Sequence, residues 1–145
     1  MMASLLKSRT RKALILIIVC ILVLFMAGRR TPYSLVKHHV NIVLKCHYNV
    51  EEFSDFWGCT GDGETVIVIN IHEQEINKIA DQCIENNFNQ LPIIESLPDD
   101  FVYKYMSEGD AGYYKLNINE KDCRDYMIAV LNTSTNKLIL HYTLY

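Results

Sequence analysis

The stretch of residues 55–89 places the strongest constraint on the fold, because three patterns of secondary structure follow one another in it. The glycine-rich residues 58–63 favour a sharp turn or bulge, since glycine adopts backbone angles that other residues avoid. The β-branched run 65–71 predicts a central strand that is covered on both faces. An amphipathic helix is predicted from Glu73 to about residues 87–89. Its apolar stripe is Ile76, Ile79, Ala80, Cys83 and Ile84.

An apolar run without a charged residue, residues 13–28, lies between basic flanks. As a helix it would be about 24 Å long, and the long side chains of Lys12 and Arg29 would reach the two interfaces of a bilayer. A buried core helix would show a polar face, which this run lacks. A cleaved secretory signal needs small residues before the cut, but Phe25 and Met26 occupy those positions. We therefore predict an uncleaved transmembrane anchor.

The predicted anchor divides the chain into four parts. Residues 1–12 are a basic cytoplasmic tail, 13–28 the anchor, 29–39 a juxtamembrane linker and 40–145 an extracytoplasmic domain. The basic residues before the anchor favour this orientation by the positive-inside rule. The sequence therefore predicts a single-pass protein of the cell membrane with its C-terminal domain outside.

Charge limits the partners of this domain. From residue 31 onward there are 8 basic and 17 acidic residues, a net charge of −9. Such a domain repels nucleic-acid phosphates and anionic lipid. The expected partners are the lipid bilayer, through the N-terminal helix, and an unknown protein or envelope component, with no nucleic acid.

The fold class follows from the remaining patterns. Residues 40–48 alternate between apolar and polar side chains, which is typical of a half-buried strand, and the acidic residues 51–56 are interpreted as a link. We predict an α+β domain, an antiparallel sheet of about five or six strands packed on one long helix, whose other face is solvated or used for binding. A loop is predicted over residues 91–100. The predicted strands are residues 40–48, 65–71, 101–106, 113–118, 126–131 and 138–144.

Four cysteines lie beyond the anchor, namely Cys46, Cys59, Cys83 and Cys123. An even number in an exported domain allows two disulfides with three possible pairings. However, Cys46 and Cys83 fall on predicted core faces, where a free thiol packs as a small apolar side chain. Both states of the cysteines stay open.

Several segments of the outer domain are distinctive: DFWGCTGDGET at residues 55–65, Gln90-Leu91-Pro92, Gly112-Tyr113-Tyr114 and the hairpin at 128–138. Together they resemble a family of small membrane-anchored or lipoprotein-like proteins of Firmicutes-type bacteria. That family has a glycine-rich GDG turn, a Gly-Tyr-Tyr strand and a C-terminal hairpin. Trp57 stands where the family has His, and Cys59 and Thr60 replace a Gly-Phe pair. The family has no established activity, so the resemblance implies architecture and location only.

The acidic residues around the glycine turn are weak candidates for a metal site. Asp55, Asp62 and Glu64 carry the oxygen ligands that Ca²⁺ favours, but their spacing differs from that of the helix–loop–helix calcium motif. Solvated acids beside a turn are the alternative interpretation. Phosphate binding by the turn itself is disfavoured, because the turn leads into a strand and carries negative charge. We therefore interpret Gly58, Gly61, Asp62 and Gly63 as a structural turn.

Two further hypotheses concern side-chain chemistry. Cys59 is a candidate nucleophile with His47 or His72 as its base, although no third residue that would orient the base is evident. Tyrosines in the predicted strands would suit a peptide or glycan partner if they formed a ridge, but tyrosine is also a good strand former. These tyrosines are Tyr103, Tyr105, Tyr113, Tyr114, Tyr142 and Tyr145.

No catalytic set, cofactor site or firm metal site is predicted. We expect a membrane-tethered, non-enzymatic interaction or envelope-accessory domain. The alternatives are a thiol- or carboxylate-based hydrolase using Cys59 or the Asp55/Asp62 pair, and a small ligand-binding domain with an apolar cavity under the helix.

Overall fold

The structure is a computed structural model that describes residues 17–19 and 30–145. It divides into two compact units, Met1–Thr31 and Pro32–Tyr145. In the first unit, residues 17–19 are helical and exposed, and the rest of the predicted tail and anchor lies outside the described residues. Within residues 17–19 and 30–145, no helix combines the length and the apolar character needed to cross a bilayer.

The second unit is a six-stranded antiparallel sheet with helices, which confirms the predicted α+β class and strand number. The elements are α1 (Pro32–Val40), β1 (Asn49–Trp57), β2 (Gly63–Asn70), α2 (Ile76–Glu85), β3 (Asn89–Gln90), β4 (Gly112–Ile118), β5 (Tyr126–Asn132) and β6 (Lys137–Leu144), with 3-10 helices at Glu73–Glu75 and Val102–Tyr105. The strand order is β1-β2-β6-β5-β4-β3, so the chain crosses to the far edge through α2 and then returns strand by strand until β6 pairs with β2.

Both helices contribute to the core on one face of the sheet, which we call the helix side. Val36 of α1 and Ile79 and Cys83 of α2 are buried in one cluster with Ile67 of β2 and Leu140 of β6. The predicted helix is confirmed, and α1 adds a second one. The prediction of Ile84 in its buried stripe is wrong: Ile84 is exposed, because each residue turns a helix by about 100° and carries Ile84 to the flank of the stripe.

The opposite face is covered by residues 91–106, which we call the strap. The strap is mostly irregular, and its apolar side chains pack against a second buried cluster that includes Val68, Ile128 and Ile139. This face is therefore not the solvated face that the sequence allowed. The strap residues packed here are Leu91, Ile93, Leu97, Phe101, Tyr105 and Met106.

The strand predicted over residues 101–106 is wrong, because this part of the strap forms a 3-10 helix. The Asp99 carboxylate accepts a hydrogen bond from the Phe101 N–H at 2.8 Å. A side chain that bonds to the backbone two residues later starts a turn in place of a strand. Val102 of this segment still faces the sheet and is fully buried, whereas Tyr103 is exposed.

The strand predicted over residues 40–48 is also wrong, and residues 32–40 of the predicted linker and strand form α1. Asn41 has a φ of 59°, a left-handed conformation typical of the residue after a helix. Beyond it, the Gln82 side chain accepts from the Val43 N–H at 2.7 Å and donates to the Val43 carbonyl at 3.3 Å. The Gln82 side chain thus makes the two hydrogen bonds that a neighbouring strand would otherwise make with the Val43 backbone.

The acidic link predicted over residues 51–56 is instead part of β1, which pairs with β2 along its length apart from a bulge between Val50 and Glu52. β1 is an edge strand. Because an edge strand stays partly exposed, it tolerates the charged side chains that suggested a link.

Gly112 of β4 lies too close to the backbone of β5 to carry a side chain. Its φ is 151°, and a Cβ atom there would lie 1.9 Å from the Leu131 carbonyl oxygen. Gly109 has a φ of 89° but open space around it. We expect Gly109→Ala to cost about 1–3 kcal/mol of the free energy of unfolding through backbone strain alone. Gly112→Ala should cost more, because the clash is with backbone. Urea unfolding checks this, and equal costs would contradict it.

Candidate functional site

The three predicted metal-ligand candidates do not converge. Asp55 lies opposite Thr65 in the β1–β2 pair, whereas Glu64 is the neighbour of Thr65 and points to the other face of the sheet. The Asp55 carboxylate accepts from the Thr65 hydroxyl at 2.8 Å, and Asp62 accepts from the Thr60 hydroxyl at 3.0 Å. Within the part of the chain that the structure describes, no group of three or more His, Cys, Asp or Glu side chains is arranged to hold a metal.

The glycine turn closes the β1–β2 hairpin with internal bonds. The Gly58 N–H donates to the Asp62 carbonyl at 2.7 Å, and the Gly61 N–H donates to the Gly58 carbonyl at 3.2 Å. Gly61 has a φ of 95°, and Gly63 begins β2 opposite Trp57. These two amides serve the turn itself, so they are not directed at an anion.

The candidate thiol nucleophile lies far from its candidate bases. Cys59 lies in the turn at one end of β1, whereas His47 and His72 stack at the other end, with ring centroids 5.6 Å apart. The nine residues of β1 separate the two ends by about 26 Å, given a rise of about 3.3 Å per residue. The geometry therefore does not assemble Cys59 with either imidazole.

The four cysteines of the described chain are free thiols. Cys83 is buried as predicted, and burial raises the pKa of its thiol to about 12, which keeps it protonated. Cys46 is exposed, so its predicted place on a core face is wrong. That prediction depended on the strand over residues 40–48, which the structure replaces with a helix and a loop.

A polar cluster that the sequence did not reveal lies between the sheet and the strap. It consists of Glu64, Asp99, Tyr126 and His141, and we call it the His141 cluster. The His141 side chain is buried, with the residue 1% exposed. Its Nε2 lies 2.7 Å from Glu64 Oε1, and its Nδ1 lies 2.7 Å from the Tyr126 hydroxyl and 3.5 Å from Asp99 Oδ2. The Tyr126 hydroxyl also donates to Asp99.

The register of β2, β5 and β6 brings the side chains of this cluster together. His141 of β6 pairs with Val66 of β2 and with Ile128 of β5, so all three side chains share the strap side. Glu64 and Tyr126 each lie two residues from those partners and are therefore diagonal neighbours of His141 on the same face. Asp99 comes from the strap. A histidine within the apolar run 138–144 was the only signal of this cluster in the sequence.

The bonds of this cluster connect three strands with the strap. Burial and the Asp99 carboxylate raise the pKa of Tyr126, so its hydroxyl keeps its proton. This hydroxyl donates to Asp99 of the strap, and the His141 ring is hydrogen-bonded to both Tyr126 and Glu64. The cluster therefore joins β2, β5, β6 and the strap.

Two more tyrosine–carboxylate bonds hold the strap. The Tyr114 hydroxyl of β4 donates to Glu95 at 2.6 Å, and the Tyr105 hydroxyl of the strap donates to Glu52 of β1. The bond to Glu52, together with burial, raises the pKa of Tyr105 to about 12. Tyr113 and Tyr142 instead pack on the helix side. The tyrosines therefore divide between the two faces and do not form one ridge.

The most exposed apolar side chains of the sheet belong to β1. This strand ends the strand order, so its outer edge pairs with no other strand of residues 30–145. Phe53 is 43% and Phe56 is 74% exposed. Phe53 lies opposite Ile67, on the helix side, and Phe56 lies opposite Glu64, on the strap side. The other edge strand, β3, has only two residues.

A cavity of about 310 Å³ lies between the two ends of the strap and the following loop. Leu91, Ile93, Tyr103 and Met106 form its apolar wall, and neither cysteine nor histidine lines it. The ligand-binding alternative predicted a cavity under the helix. A cavity of about 360 Å³ lies beside α2, lined by Asn77 and Ala80 of that helix and by Tyr113 of β4.

No family model matches the chain, and no curated protein or solved structure is significantly similar to it.

A variant at Tyr126 tests whether the His141 cluster holds the strap on the sheet. Tyr126→Phe removes the hydroxyl that bonds both His141 and Asp99, and we expect a loss of about 1–3 kcal/mol in the free energy of unfolding. Faster amide exchange over residues 91–106 should accompany it. Tyr103→Phe is the matched control, because the Tyr103 ring is exposed. Urea unfolding and hydrogen exchange measure both effects. An equal response of the two variants would show that the cluster does not hold the strap.

Proposed function

We propose that this chain is a single-pass membrane protein whose C-terminal domain is an extracytoplasmic, non-enzymatic interaction module. The observation that carries the proposal is the exposure of two phenylalanines on one edge strand: Phe53 is 43% and Phe56 is 74% exposed. Aromatic side chains are enriched where proteins bind other polypeptides.

The internal bonds of the candidate chemical groups support binding over catalysis. Asp55 bonds Thr65, and Asp62 bonds Thr60 within the hairpin. Glu64 and Asp99 bond His141 and Tyr126, which fasten the strap to the sheet. Through these contacts the carboxylates stabilise the fold.

Charge and sequence support the tether and the location. The apolar run of residues 13–28 is preceded by Lys7, Arg9, Arg11 and Lys12, which favours a cytoplasmic N-terminus. The acidic domain is repelled by anionic lipid, which leaves its surface available to a protein or envelope partner. The resemblance to anchored Firmicutes-type proteins points to the same location.

The tether is tested with a chain that carries a C-terminal tag. We expect the unaltered chain to stay in the membrane pellet at alkaline pH, and protease added to intact cells to remove the tag. Ile18→Arg combined with Leu22→Arg should release the chain from the pellet, since each arginine costs about 2.5–3.5 kcal/mol near the middle of a spanning helix.

Ser4→Arg combined with Ser8→Arg is the matched control, because it adds the same charge outside the apolar run. This variant should remain in the pellet. A tag that survives protease on intact cells but is digested after lysis would refute the external location. Retention of the Ile18/Leu22 double variant would refute the anchor.

A further inference from the structure

We propose that the cavity between the two ends of the strap and the following loop, which we call the strap cavity, binds a small organic cation. This ligand is a protonated amine attached to a compact apolar group. The inference is independent of the two phenylalanines that carry the proposed function. It follows from the size and walls of the cavity, from the charge of its lining and from the bonds that fix its shape.

The strap cavity has the size and the walls of a site for a small molecule. Its volume of about 310 Å³ lies at the lower end of the range of about 300–1,000 Å³ that is typical of ligand pockets. Leu91, Ile93 and Met106 form an apolar wall. The ring of Tyr103 also lines the cavity and is 47% exposed, so part of this ring is open to a ligand. A phenyl ring or a short branched alkyl chain suits these walls.

The charge of the lining is negative. Glu108 and Asp110 both line the cavity, and within the part of the chain that the structure describes its lining contains neither lysine nor arginine. Asp110 Oδ2 accepts hydrogen bonds from the Ser107 N–H at 2.8 Å and from the Asn132 amide at 2.6 Å. Because both donors are uncharged, they orient this carboxylate without cancelling its charge. A cation is therefore attracted to the lining, whereas an anion is repelled.

An organic cation matches this lining better than a metal ion does. The carboxylates attract an ammonium group, and the face of the Tyr103 ring is a second attractive partner for it. The apolar part of the same ligand would contact Leu91, Ile93 and Met106. A metal ion would instead need several converging oxygen, nitrogen or sulfur ligands. Among the described residues, no group of three or more His, Cys, Asp or Glu side chains is arranged in that way.

Hydrogen bonds within the chain fix both sides of the cavity. At the start of the strap, the Leu91 N–H donates to the Gly112 carbonyl at 3.1 Å. In the loop after the strap, the Asp110 N–H donates to the Ser107 carbonyl at 3.1 Å. The bond from Asn132 to the Asp110 carboxylate ties this loop to β5. Because the chain itself makes these bonds, a ligand would need to order little of the cavity wall.

The test uses the full chain in nanodiscs of phosphatidylcholine, with isotope-labelled methionine methyl groups observed by NMR. Met106 lines the strap cavity, whereas Met127 is buried in the core cluster of the helix side and is the internal control. The probes are phenylpropylammonium and the smaller isopentylammonium. We expect at least one of them to shift the Met106 signal to saturation, with a dissociation constant below about 1 mM, and to leave Met127 in place.

Two further ligands with the same phenylpropyl group test the charge. Phenylpropanol is uncharged, and phenylbutanoate is an anion. Compared with phenylpropylammonium, the alcohol should bind at least about threefold and the anion at least about tenfold more weakly. Equilibrium dialysis against empty nanodiscs gives the free concentration of each ligand, so that partition into the lipid is taken into account.

A charge variant locates the ammonium group. Glu108→Gln combined with Asp110→Asn should weaken phenylpropylammonium binding at least about tenfold and change phenylpropanol binding by less than about twofold. The new asparagine can still accept hydrogen bonds through its side-chain oxygen. Asp81→Asn combined with Glu85→Gln is the matched control, because it removes the same two charges from exposed positions of α2 that lie outside the cavity lining.

A ring variant locates the apolar part of the ligand. Tyr103→Ser should weaken the binding of phenylpropylammonium and of phenylpropanol, because it removes part of the wall. Tyr103→Phe is the matched control, since it keeps the ring and should keep the affinity for both. Circular dichroism and urea unfolding verify that each variant is folded.

Any of four results would overturn the inference. The first is no Met106 shift with either ammonium ligand up to about 10 mM, which is far weaker than a specific site of this size requires. The second is equal shifts of Met106 and Met127, which would place the effect outside the cavity. The others are equal affinities for phenylpropylammonium and phenylbutanoate, and full affinity of the Glu108/Asp110 double variant.

Discussion

The architecture depends on burying the three central strands on both faces. All seven residues of β5 are buried, and β2 and β6 each carry buried side chains on alternating sides. A sheet with two apolar faces must be covered twice. The two helices provide one cover, with Val36 and Ile79 in its core. The second cover is the strap, which is therefore as necessary to the fold as the helices.

Because the strap is mostly irregular, it lacks the repeated backbone hydrogen bonds that hold a helix or a strand in place. Hydrogen bonds from tyrosine hydroxyls to carboxylates hold it instead: Tyr114 with Glu95, Tyr126 with Asp99, and Tyr105 with Glu52. In each pair an aromatic ring packs on the apolar face while its hydroxyl reaches a carboxylate near solvent. Hydrogen bonds to a charged acceptor are stronger than neutral ones, which compensates for the lack of a continuous ladder. His141 adds hydrogen bonds to Tyr126 and Glu64.

The two edges of the sheet are unequal, and this connects the fold to the proposed function. β3 has only two residues, whereas β1 has nine, and its outer edge pairs with no other strand of residues 30–145. The strap bonds β1 through Glu52 but leaves Phe53 and Phe56 exposed. The described interactions that complete the core therefore leave the two phenylalanine rings of β1 on the surface, where a partner protein would contact them.

Local periodicity was sufficient to predict the strand at residues 65–71, the helix after it and the hairpin of β5 and β6, because each depends on neighbours close in sequence. It was insufficient for α1, β1 and the 3-10 helix of the strap. In those segments, residues distant in sequence determine the conformation. The Gln82 side chain bonds the backbone of Val43, and the pairing of β1 with β2 makes an acidic segment extended. Glu64 and His141 are 77 residues apart and meet only through strand register. The sequence by itself determined the fold class and the acidic character of the domain, since composition and short-range patterns carry both. Tertiary structure alone decided which side chains meet and which strands lie at the edges of the sheet, because those depend on strand order.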